Sequence, residues 1–180
     1  MISLDVMLFI FMLLFAVIGA MRGWSKELLV AFSIVLALFT LFVLESFVPF
    51  FEEFMASSTP KAIFLVRTAI LAGLAFFGYQ TPRFPKFAES ERFMRNHLQD
   101  ALLGIVFGAL NGFLIFGSIW FFLHSSGYPL SYVQPPLADT DAGEAALGWI
   151  KFLPPNWLMT SPAVYFAVVI CFILVIVVFI

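Results

Sequence analysis

Few residues in this chain could do chemistry, and their spacing limits which chemistry that is. Arg22, Lys26 and Glu27 lie within one short stretch, beside Gly23, and Asp5, Asp100 and Asn111 stand singly against long apolar runs. An amide placed in lipid needs a partner. Asn111 therefore reads as an interhelical hydrogen-bonding residue, worth about 0.6 kcal/mol on average in one studied membrane protein. Asp5, Glu27 and Asp100 fall at expected helix ends, where solvated capping carboxylates are the simplest reading. Arg67 follows Lys61 closely enough that its side chain is expected to snorkel out of the bilayer. His97 and His124 are expected on opposite sides of the membrane, too far apart to share a metal. No HExxH, GxSxG or phosphate-loop spacing occurs, and Cys171 sits in an apolar run as an inert sulfur. No catalytic, cofactor-binding or metal-binding residue is assigned on these grounds. A formal net charge of −2 lacks the basic excess that binding nucleic acid needs.

Gly104, Gly108 and Gly112 recur every fourth residue. On a helix this spacing makes a groove without side chains, into which a second helix can settle to backbone contact. The expected partner is another helix, in this chain or in a second copy or another membrane protein. A shorter echo joins Gly19-Ala-Met-Arg22-Gly23 to Gly108-Ala-Leu-Asn111-Gly112, on helices expected to run oppositely. Inverted repeats occur in transporters, but five residues of low complexity read better as coincidence.

The elements that must position these residues are membrane helices. The chain has 180 residues, of which 63% are hydrophobic and only 11% charged, against roughly 25% charged in soluble domains. Apolar windows at 6–21, 28–44, 62–80, 101–123 and 162–180 approach the roughly 20 residues that cross a hydrocarbon layer. Their continuous apolar runs, and the need to satisfy every backbone group in lipid, predict helices rather than a barrel. The fold class expected is all-α: a polytopic helical bundle of about five transmembrane helices. It divides into a four-helix core over 1–124, a Pro-rich loop over 125–160 and a C-terminal helix over 161–180. The first helix is read as retained, because Asp5 precedes it without a basic residue and no cleavage pattern follows.

Between the first two helices, Gly23 is expected in a left-handed conformation at the end of one and Ser25 as the cap of the next. Arg22 should snorkel there, with Trp24 at the interface. Residues 45–59 suggest an interfacial amphipathic turn, followed by Thr59 as N-cap and Pro60 as first residue of the third helix. The charged stretch 81–99 is expected to extend into the fourth helix, with Phe93 and His97 on its apolar face. A short helix is expected over 142–152. Basic residues set the orientation. Arg22, Lys26, Arg83, Lys86, Arg92 and Arg95 share one side and only Lys61 and Lys151 the other. The first side should be cytoplasmic, with the N-terminus outside and the C-terminus inside. Arg22 or Lys26 could then pair with Asp100 at that interface.

Two segments resemble a known family. Ser3-Leu4-Asp5, the apolar run to Met21, and Arg22-Gly23-Trp24-Ser25-Lys26-Glu27-Leu28 are similar to the opening of the CvpA (colicin V production protein) family. Asp100-Ala101-Leu102-Leu103-Gly104 and Gly108-Ala109-Leu110-Asn111-Gly112 are similar to its glycine-bearing helix. The resemblance covers roughly 3–124. Asn111 and Ala101 stand where that family usually has arginine, and His124 where an acid is common. The resemblance implies a multi-pass protein of the bacterial inner membrane, linked to colicin V production or export and to envelope homeostasis, without a defined reaction. The role expected is non-enzymatic, with the lipid bilayer as partner and, through the glycine groove, a second copy of the chain or other membrane proteins. The other hypothesis is a small transporter or channel subunit, which net solute flux in proteoliposomes would reveal.

Overall fold

A computed structural model describes residues 3–80, 97–137 and 139–179. Within them the regular structure is helical: α1 (Leu4–Arg22), α2 (Trp24–Phe47), α3 (Pro49–Ser57), α4 (Pro60–Tyr79), α5 (His97–Ser125), α6 (Asp141–Ile150), α7 (Pro154–Leu158) and α8 (Ala163–Phe179). α1, α2, α4 and α5 are each long and apolar enough to cross a bilayer. A fifth crossing is possible where α6 and α7 join α8 across a 71° bend. All five apolar windows are therefore helical; α1, α2 and α5 extend beyond both predicted limits and α4 begins earlier and ends one residue sooner, because polar residues at bilayer boundaries can still be helical.

α2 is the centre of the bundle. Val30, Ile34, Leu38 and Leu41 on it have no exposure, and they meet Leu71 and Ala75 of α4, Leu114 and Phe122 of α5, and Leu158 of α7 in one apolar cluster. α8 lies along α2, where Tyr165 packs edge-on against Phe39 and Phe42. α1 is peripheral and lies chiefly on α5. Its outward side chains, such as Leu13 and Met21, remain exposed, as expected of a lipid-facing helix without a hydrophobic reason to hide them.

The α1–α5 contact explains the glycines. A Cβ built on Gly104 or Gly108 would overlap the backbone carbonyl oxygen of Gly19 or Phe15, and one on Gly112 would lie 2.8 Å from the Phe11 carbonyl oxygen. Phe11, Phe15 and Gly19 are spaced by four, as are the three glycines, and the order reverses, so the helices run antiparallel. Gly19, half of the sequence echo, faces Gly104 and Gly108 directly. The glycine groove is filled within the chain. Beyond it, the Phe11 and Phe116 rings stack with centroids 4.7 Å apart.

The links differ in detail from expectation. Thr59 does cap α4, accepting from the Ala62 N–H at 3.3 Å, with Pro60 first in the helix. Ser25 is not the cap of α2, which begins two residues earlier than such a cap would set, with Gly23 at the N-cap and no capping by a nearby side chain. The 45–59 stretch holds a helix, α3, with no buried residue. The short helix expected over 142–152 is α6, and Trp149 on it packs edge-on against Phe9 of α1 at 5.5 Å. Residues 81–96, with the four basic residues and Phe93 read there, lie outside the described residues.

Candidate functional site

The turn between α1 and α2 is built by one residue's backbone freedom. Gly23 has φ 84° and ψ 156°, a region that only glycine occupies readily. The sign of φ is as expected, but ψ is extended rather than left-handed helical. Its N–H still bonds to the Gly19 carbonyl at 2.9 Å, closing α1. The sharp reversal points Arg22 back along α2 towards Glu27.

Asp100, in the first turn of α5, takes the capping position left open by Gly23. Its Oδ1 accepts from the Trp24 N–H at 3.1 Å, and a Cβ on Gly23 would come within 2.6 Å of Oδ2. The carboxylate caps a helix from 76 residues away, beside the positive end of the α2 dipole. It does not pair with Arg22 or Lys26, as expected from the sequence, because the backbone N–H occupies the near side of the carboxylate and Arg22 is engaged elsewhere. Lys26 is exposed.

Arg22 donates through Nη1 to Glu27 Oε1 at 2.8 Å and through Nη2 to the Tyr79 carbonyl at 3.3 Å. Its guanidinium lies 4.5 Å from the Tyr79 ring centroid, a distance at which a ring face attracts a cation. Arg22 therefore reaches inward to α2 and α4 rather than snorkelling. Glu27 has no exposure and is not a solvated capping carboxylate. A buried carboxylate must find donors for its oxygens, and Oε2 accepts from Asn111 Nδ2 at 2.8 Å. The same Nδ2 bonds to the Glu27 backbone carbonyl at 2.9 Å. Asn111 sits three residues from the Gly108 contact with α1, on a stretch of α5 that also packs against α2. Asn111 Oδ1 is buried and has no hydrogen-bond partner among the described residues. The Tyr79 hydroxyl is also buried and has no hydrogen-bond partner among the described residues.

The result is a clamp. Arg22 at the end of α1 and Asn111 of α5 are joined through the Glu27 carboxylate in the first turn of α2, and Arg22 in turn holds the end of α4 at Tyr79. Sequence reasoning placed Arg22, Gly23, Glu27, Asp100 and Asn111 in two separate motifs. The structure brings them into one patch through the Trp24–Asp100 and Glu27–Asn111 contacts. Tyr79 was missed, because its contribution is a backbone carbonyl and a ring face, which carry no sequence signature. Asp5 lies at the other end of α1, apart from the clamp, with Oδ1 buried and, among the described residues, without a hydrogen-bond partner.

A second clamp closes the opposite end of the bundle. Arg67 of α4 grips Glu45 of α2 through two bonds of 2.7 and 3.0 Å and donates to Ser125 Oγ of α5 at 3.2 Å. Arg67 is thus held between helices rather than extended towards solvent. Two parallel N–H···O bonds are the geometry in which a guanidinium holds a carboxylate most firmly. Among the described residues no group of three metal-ligating side chains occurs.

The sequence profile described as "Colicin V production protein" matches residues 4–141. This span includes both clamps and reaches past the two motifs into α6. No curated protein and no solved structure matches the chain significantly.

Proposed function

The chain belongs to the colicin V production protein family, and we propose that it acts without enzymatic chemistry in toxin production or secretion, or in maintenance of the envelope. The observation that carries this reading is the commitment of the buried carboxylate. Glu27 is fully enclosed and bonded to Arg22 and Asn111, so it joins three helices rather than facing a substrate. A carboxylate held by two donors in a packed core is suited to fixing helix positions.

The proposed site of action is the bacterial inner membrane, with the α1–α2 turn and residues 81–96 in the cytoplasm. Its basis is the basic-residue asymmetry. Trp24 and Asp100 meet at one end of the bundle while Glu45, Arg67 and Ser125 meet at the other, which supports an alternating path across the membrane. The N-terminus is then outside and the C-terminus, after α8, inside.

The test is deletion in a bacterial host that encodes the chain, followed by complementation. Export of a peptide toxin and resistance to detergent should fall on deletion. They should return with the wild-type chain and with a variant at an exposed position such as Leu13→Ile, but not with Arg22→Ala. Unchanged export and resistance, together with net solute flux through the purified protein in proteoliposomes, would replace this proposal with a transporter.

A further inference from the structure

A cavity of about 550 Å³ opens between the first turn of α1 and the link that precedes α6. Ser3, Leu4 and Met7 form one wall, and residues 132–137 with Ala146 form the other. The volume lies in the range of small-molecule sites, roughly 300–1,000 Å³. None of the described lining residues is charged, and most are aliphatic, proline or methionine. Water filling this space, about 18 molecules at roughly 30 Å³ each, would face walls that offer it few hydrogen bonds.

The cavity's level in the membrane follows from α1. A 19-residue helix rises about 28 Å, which matches the hydrocarbon thickness, so Ser3 marks the polar boundary and Met7 lies about one turn below it. The cavity thus straddles the edge of the hydrocarbon. Its polar groups, the Ser3 hydroxyl, the Gln134 amide and the Tyr132 phenol, can donate hydrogen bonds. The Thr140 hydroxyl is already engaged with the Leu137 carbonyl and the Gly143 N–H. Uncharged donors at the rim over an apolar interior fit an ester carbonyl joined to a hydrocarbon chain. A free carboxylate would call for a cationic partner, and the described lining residues include none.

We propose that this cavity is a binding site for one acyl chain of a bilayer phospholipid, with the glycerol ester at the Ser3 and Gln134 rim. Met7 is suited to such a wall, since its unbranched thioether adapts to an irregular chain. The lipid would tie the link before α6 to α1, where Ala146 and Leu4 already contribute to one apolar cluster with Leu8 and Trp120.

The experiment uses the full chain reconstituted in vesicles of phosphatidylethanolamine and phosphatidylglycerol, doped with phosphatidylethanolamine carrying a diazirine midway along one acyl chain. Irradiation and peptide mapping should place adducts at Met7 and residues 133–137 well above those at the lipid-facing residues Leu13 and Val17. Met7→Trp, which fills the interior, should lower the loop adducts roughly tenfold, the equivalent of two methylenes denied burial, without changing those at Leu13. Leu137→Trp, at an exposed rim position, gives a second obstruction that leaves the helix packing alone. Loop labelling no higher than at Leu13 and Val17, or loop labelling unchanged by both tryptophans in protein that retains its wild-type elution profile, would overturn the site.

Discussion

Removing the charge partner of Glu27 should cost more than removing the Glu27 charge itself. Arg22→Ala strands a carboxylate that has no exposure, with Asn111 as its remaining donor. Breaking one side of a buried ion pair costs about 3–5 kcal/mol. The Arg22 side chain is 23% exposed, so water screens part of the interaction and about 2–3 kcal/mol is expected. The lost contact with the Tyr79 ring lies within that figure. Glu27→Gln keeps the size of the side chain and an oxygen that accepts from either Arg22 or Asn111. Arg22 can turn its guanidinium outward, so the cost should be about 1 kcal/mol. The double variant has no stranded charge and should lose only about 1–2 kcal/mol, well below the sum of the single losses. Unfolding in detergent, followed by circular dichroism and tryptophan fluorescence, measures all three. Equal losses for the two single variants, or strict additivity in the double, would refute the clamp as the reason for this cluster.

The glycines divide by what surrounds them: Gly108→Ala should lower stability by about 1–3 kcal/mol through overlap with α1, whereas Gly73→Ala and Gly148→Ala, whose surroundings are open, should be neutral or gain about 0.5–1 kcal/mol in the same assay. Gly108→Leu should exceed Leu114→Ala, which removes a core side chain at about 2–5 kcal/mol. Asp100→Ala should lose about 1 kcal/mol as a missing helix cap while Asp100→Asn retains most of it, and combining Arg22→Asp with Asp100→Arg should give additive damage, since these residues do not pair. In a Cys171→Ser background, an impermeant thiol reagent on intact cells should label a cysteine at position 141 and not one at 86; the opposite pattern would invert the proposed orientation.

The class of the protein was legible without coordinates because lipid imposes one-dimensional rules. A long apolar run must be a helix in a bilayer, so the five windows follow from hydropathy alone. The Thr59-Pro60 start of α4 also follows from local chemistry. Glycine spacing at 104, 108 and 112 announced a close helix contact, and Asn111 announced a hydrogen bond, because each is anomalous in its own helix. What these features could not carry was the identity of the partner. That Gly108 meets Phe15 and Asn111 meets Glu27 depends on how α1 and α2 pack around α5. The charged residues were misread for the same reason. Arg22, Glu27, Arg67 and Asp100 stand near helix ends, where solvation is the local minimum for each taken singly. Only the packed bundle decides otherwise, by excluding water from Glu27 and placing donors from α1 and α5 at hydrogen-bonding distance. Ser25 illustrates the competition most simply. It has the right chemistry for a cap, but the extended turn at Gly23 starts α2 two residues early, and a carboxylate on another helix reaches the first free N–H.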